Sequence, residues 1–153
     1  MKLRTKILLA IGGTFIVIQF IQPARNKSGQ VLPIDITKTV KIPDEVSDVF
    51  ENSCYDCHSN NTHYPWYVNI QPMGWIMASH IRKGKAKLNF SEFGSYTLRR
   101  QISKLKTIEG SIKDGSMPLS SYTIMHADAK LSKEDKALVF DWLIKARDSL
   151  VLK

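Results

Sequence analysis

Cys54 and Cys57 are the two cysteines of the 153-residue chain, and His58 follows them directly in Cys54-Tyr55-Asp56-Cys57-His58. Residues three apart share one face of a helical turn. Both thiols can then reach the two vinyl groups along one edge of a porphyrin. The histidine next to the second thiol is carried under the ring, where an imidazole can bind iron. C-x-x-C-H is the pattern of covalent c-type haem attachment. Two cysteines and four histidines scattered at random would give it on the order of once in three thousand sequences of this length.

Three other chemistries compete for the pair. A C-x-x-C redox pair belongs in a βαβ setting, and no such pattern surrounds this one. A structural zinc site needs four ligands, and the chain has no second C-x-x-C and no H-x-x-x-H. A plain disulfide leaves the histidine unexplained. One haem c, bound through Cys54 and Cys57 with its iron on His58, is the expectation.

The sixth iron position usually falls to Met or His. Met117 is the first candidate. It lies in Gly115-Ser116-Met117-Pro118, and the proline favours extended backbone before it, which would aim the thioether. A methionine in such a place otherwise fills a gap in a core. His126, beyond that loop, would make a bis-His site. His80 sits among Trp75, Ile76 and Ile81, where a hydrogen-bonded structural histidine is the ordinary role. His63 follows the motif too closely to reach the far face, and Met73, Met77 and Met125 read as core or haem wall. Tyr64, Trp66, Tyr67 and Trp75 could wall a haem or simply fill the core. Arg82, Lys83, Lys85 and Lys87, with Arg99, Arg100, Lys104 and Lys106, could dock an acidic redox partner or hold propionates; such charges are more often a solvated face.

Helices must position these residues. One fits 44–53, behind Pro43 and with Asp44 and Glu45 in its first turn. Others fit 72–83, stopped by Gly84; 95–114, with a stripe of Leu98, Ile102, Leu105, Ile108 and Ile112; and 132–150, opened by Ser132 and Asp135 as a capping box. Before them, residues 25–42 read as an extended linker. Ile34, Ile36, Val40 and Ile42 alternate there weakly, as in a short strand.

The chain opens on Lys2, Arg4 and Lys6, followed by an apolar run over 7–21. That is long for a signal h-region of about 7–15 residues and short for a span of about 20. Its end, Phe20-Ile21-Gln22-Pro23-Ala24-Arg25, lacks the small residues of a cleavage site, so an uncleaved signal anchor is favoured over a cleaved signal. The positive-inside rule then leaves the basic end in the cytoplasm and the domain in the periplasm, single-pass in the inner membrane. The expected division is 1–24 transmembrane segment, 25–42 linker and 43–153 haem domain. The net charge of +8 is spread along the chain. Without a basic run or interleaved aromatics, it argues against nucleic acid.

With these residues in view, the chain resembles the small bacterial haem-binding domain proteins, which carry an N-terminal membrane segment and a cytochrome c-like domain. The likeness lies in Asn52-Ser53-Cys54-Tyr55-Asp56-Cys57-His58-Ser59-Asn60, Tyr64-Pro65-Trp66, Gln71-Pro72, Leu88-Asn89-Phe90-Ser91-Glu92-Phe93 and Met117-Pro118-Leu119-Ser120-Ser121-Tyr122. It spans roughly 43–150. It implies a c-type haem on Cys54, Cys57 and His58 and, by similarity to cytochromes c, Met117 as distal ligand. The expected fold is all-α, a small cytochrome c-like helical domain. The expected function is electron transfer at the periplasmic face of the membrane, to a redox protein partner for which acidity would suit the basic balance, and not enzymatic catalysis. The alternative is a haem-based sensor or peroxidase-like enzyme with an open or displaceable sixth position.

Overall fold

The computed structural model describes residues 2–152; Met1 and Lys153, at the ends of the expected segments 1–24 and 43–153, lie outside them. The fold is all-α: α1 Leu3–Ile18, α2 Ile36–Thr39, α3 Asp44–Ser53, α4 Tyr55–His58, α5 Met73–Lys87, α6 Leu98–Lys113, α7 Ser120–Thr123 and α8 Lys133–Val151. Tight 3-10 turns cover Trp66–Asn69, Phe90–Ser95 and Ala127–Ala129. No strand occurs among the described residues, only an antiparallel bridge between Lys27 and Asn61.

The expected helices form, with shifts at their ends. Ser132 and Asp135 cap α8 reciprocally, each side chain accepting from the other's backbone N–H. α5 does not stop at Gly84 but runs on to Lys87. Gly84 is there for closeness: a Cβ on it would stand 2.5 Å from the Cys57 carbonyl oxygen. Gly110 is tolerated inside α6 because it faces open space, and Gly115, at φ 74°, turns the chain out of that helix.

The main core is built where α3, α6 and α8 converge. Leu105 and Ile112 of α6 meet Val139, Leu143, Ala146 and Leu150 of α8. Phe50 is fully enclosed, stacked on Phe90 at 5.3 Å and edge-on to Trp142 at 5.2 Å. The Trp142 indole donates to the Lys41 carbonyl at 3.0 Å, so its polar edge is satisfied. A smaller cluster, Val68, Met77 and Ile81, packs against Cys57, Tyr64, Tyr67 and Tyr122.

Residues 25–42 are not a free linker. The Asn26 side chain donates to the Ser59 carbonyl at 2.8 Å. Ile36 and Val40 are core residues. The weak alternation there resolves into α2, because the Asp35 carboxylate caps it by accepting from the Thr37 N–H.

The apolar start also differs from the expected span over 1–24. α1 covers 16 residues, about 24 Å at 1.5 Å per residue, against a hydrocarbon core of about 30 Å. Among the described residues no helix is long and apolar enough to cross a membrane. None of α1 is buried.

Candidate functional site

α3 ends at Ser53, Cys54 breaks the helical path at φ −130°, and α4 begins at Tyr55. This single turn separates the motif's side chains by direction. Tyr55 packs on Phe50 and Phe90 in the core. Cys54, Asp56, Cys57 and His58 line an open cleft of about 220 Å³. His80, Lys83, Gly84 and Lys87 of α5 form one wall. Met117, Pro118, Leu119 and Tyr122 enter from the segment after α6.

Four residues singled out by their spacing and type, Cys54, Cys57, His58 and Met117, therefore meet at one cleft although Met117 is 59 positions beyond His58. His80 joins them. His126 does not line the cleft: its Nε2 lies 2.6 Å from the Tyr67 hydroxyl, and its ring stacks on Tyr122 at 4.2 Å. His63 is exposed, Met77 belongs to the smaller core and Met125 is exposed. Of the aromatics expected to wall the site or fill the core, Tyr64 and Tyr67 pack on the smaller cluster, whereas Trp66 is 73% and Trp75 36% exposed. Among the basic residues, Lys83 and Lys87 reach the cleft.

The orientation of His58 is fixed from behind. Its Nδ1 lies 3.0 Å from the Leu88 carbonyl oxygen, which can only accept, so Nδ1 carries the proton. Nε2 is left with a lone pair for a metal, the arrangement that sets ligand tautomer and aim. Burial, the main cause, lowers the His58 pKa and favours the neutral, ligating form. The residues after Leu88 are tied to the chain after the motif: Asn60 N–H donates to Ser91 Oγ, and the Asn89 amide donates to Asn60 Oδ1.

The two thiols are free and not disulfide-bonded. Burial pushes Cys54 up to about 12, with Cys57 adding to it, and pushes Cys57 up to about 11, with the Asp56 charge adding to it. A catalytic redox pair needs the reverse, a depressed thiol pKa. No group of three or more His, Cys, Asp or Glu among the described residues is arranged to hold a bare metal ion.

Spacing did not reveal one contact that closes the site. The Tyr122 hydroxyl donates to Asp56 Oδ2 at 2.7 Å, while the His63 N–H donates to Asp56 Oδ1 at 2.7 Å. Asp56 thus pins the Met117-bearing segment to the motif turn. Burial first, then this hydrogen bond, raises the Tyr122 pKa, so the hydroxyl keeps its proton.

The haem-binding domain pattern matches residues 13–145. The chain belongs to that family. Its fit to a haem rests on this cleft: paired thiols, an imidazole with a free Nε2, a thioether and lysines at the rim. The haem-binding domain is also 28% identical over 126 residues to the cytochrome c peroxidase Ccp of Escherichia coli strain K12. That alignment covers 80% of this chain and 26% of the relative, so the chain spans about a quarter of the relative's length. No solved structure matches.

Proposed function

We propose that this haem-binding domain holds one haem c covalently and passes single electrons, as a membrane-attached carrier and not as an enzyme. The observation that carries the reading is the convergence of Cys54, Cys57, His58 Nε2 and Met117 on one cleft. Cys54 and Cys57 would each hold the haem by a thioether, the S–H adding across one vinyl C=C, and His58 and Met117 would ligate the iron. When bound, the haem supplies a one-electron iron couple, which methionine ligation tunes upward relative to two nitrogens.

The protein's own residues do the rest. Leu88 holds the imidazole in the ligating tautomer. Asp56, through Tyr122, holds the distal segment against the motif turn. Lys83 and Lys87 give the mouth a positive rim that suits propionates and an acidic redox partner. α1, uncharged and exposed from Ile7 to Val17, would hold the domain at the inner membrane, facing the periplasm, with Lys2, Arg4 and Lys6 on the cytoplasmic side.

A peroxidase-like reading has one observation in its favour, the likeness to the Escherichia coli enzyme. It requires an open or displaceable sixth position. The visible spectrum of the reduced chain, wild type beside Met117→Ala, with and without carbon monoxide, decides between them. Low-spin bands that collapse in the variant, and no carbon monoxide binding in wild type, are expected for the carrier. Ready carbon monoxide binding in wild type would favour the enzyme or a sensor. Haem that leaves in acid-acetone would overturn covalent attachment.

A further inference from the structure

α1 is not loosely tethered to the domain. Gln71, fully buried, is the centre of a seam of amides. Its backbone N–H donates to Gln19 Oε1 at 2.8 Å, and its side chain donates to Gln22 Oε1 at 2.9 Å. Gln22 in turn donates to the Asn69 carbonyl at 3.1 Å, and the Trp75 indole N–H donates to the Ile21 carbonyl at 2.8 Å. Gly74 makes room for this packing: a Cβ there would meet the Val68 carbonyl oxygen at 2.5 Å and the Gln71 side chain at 2.8 Å.

Around this polar seam the surface is apolar and open. Phe20 is 83% exposed and Ile21 58%; Trp66, Ile70, Trp75 and Ile76 are exposed on the domain side. All six belong to the two segments, 19–25 and 66–76, that the seam joins. They continue the surface of α1.

We propose that these six residues form a lipid-contact collar, which seats the domain in the bilayer interface and supplies the apolar length that α1 lacks. The inference rests on the membrane reading above. Lipid suits the surface better than a protein does, because α1 from Ile7 to Val17 is exposed and carries no charge on any side. A partner helix would cover one stripe, whereas lipid covers every side. A hydrophobic segment shorter than the bilayer is accommodated by local thinning or by interfacial residues drawn inward, and tryptophans prefer that depth. Arg25, stacked over Tyr64 at 4.4 Å, and Lys27 beside the same ring put positive charge just beyond the collar, at the level of anionic headgroups. The cleft would then stand at a fixed height and tilt above the membrane.

The test uses the full-length chain with haem attached, so that Cys54 and Cys57 are consumed and wild type takes up no thiol label. Ile70→Cys, Ile76→Cys and, as a water-exposed control on α6, Ser103→Cys each receive a nitroxide. All three positions are exposed, so the fold and the haem spectrum are retained. The proteins are placed in vesicles of phosphatidylethanolamine and phosphatidylglycerol, and collisions with oxygen and with a water-soluble nickel chelate are compared by electron paramagnetic resonance. The expected result is an oxygen-to-nickel ratio severalfold higher at 70 and 76 than at 103. Chains that float with the vesicles while 70 and 76 match 103 would overturn the collar and leave the anchor standing. Chains that do not float with the vesicles would overturn both.

Discussion

The two apolar clusters of the domain are built to different ends. The larger one, around Phe50, Phe90 and Trp142, closes on itself: its rings stack and its one indole N–H is satisfied. The smaller one, Val68, Met77 and Ile81, leans on Cys57 and Tyr122, which border an open cleft. One cluster is closed by protein, although the Tyr55 hydroxyl packed against it is buried without a hydrogen-bond partner among the described residues. The other is a wall waiting for something flat and apolar. The two regions meet at the motif turn: Cys54 packs on the larger cluster and also lines the cleft, while Tyr55 turns to the core and Asp56, Cys57 and His58 turn to the cleft.

The largest effect should come from the complete side. Phe50→Ala removes a fully buried ring and should cost about 3–5 kcal/mol. Because the core closes without the cofactor, the loss should be similar with and without haem, as read by urea unfolding of both forms. A loss confined to the haem-loaded form would break the division into two regions. Gly84→Ala acts at the border. Its new methyl would collide with the backbone of Cys57 rather than with a flexible side chain. A cost of about 1–3 kcal/mol is expected, together with a lower yield of attached haem, measured as the ratio of haem absorbance to protein.

The larger region was the more legible in sequence. Apolar residues at helical spacing gave α3, α6 and α8, and the Ser132–Asp135 pair marked its helix start. The turn that lines the cleft was legible too, because Cys54, Cys57 and His58 are neighbours in sequence. What escaped were features that depend on contacts between distant segments. Gly84 looks like a helix stop until Cys57 is seen against it. The Leu88 carbonyl is a backbone atom and leaves no mark in residue type. Tyr122 meets Asp56 across 66 positions. Residues 25–42 look like a linker because Ile36 and Val40 are too few to show a period, yet both are core.

The Asp56–Tyr122 contact sharpens the comparison on the cleft side. Tyr122→Phe keeps the ring that stacks on His126 and deletes the hydroxyl that holds Asp56. A hydrogen bond to a charged group is worth about 1.5–3 kcal/mol. The expected loss lies at the lower end of that range, since Asp56 keeps the His63 N–H. If the hydroxyl clamps the distal segment, the reduced variant should bind carbon monoxide where wild type does not. A variant that also binds none would confine the contact to stability.

The smallest effect belongs to the outer edge of the complete side. Glu109 bridges Lys113 on its own helix and Arg147 on α8. Lys113 first, then Arg147, holds its carboxyl down at about 2, from an ordinary value near 4.5. A depressed carboxylate contributes stability that is present above its unfolded pKa and is lost as the pH falls through its folded one. The contribution of Glu109 is therefore whole at neutral pH and disappears between about 4.5 and about 2. The pair lies at the surface, where salt and water screen it. Glu109→Gln should shift the neutral urea midpoint only slightly, and less in high salt. Below pH 4 the wild-type midpoint should converge on that of the variant. If the gap instead widened in acid, the pair would not be the stabilising contact that its geometry suggests, and the α6–α8 side would owe its strength to apolar packing alone.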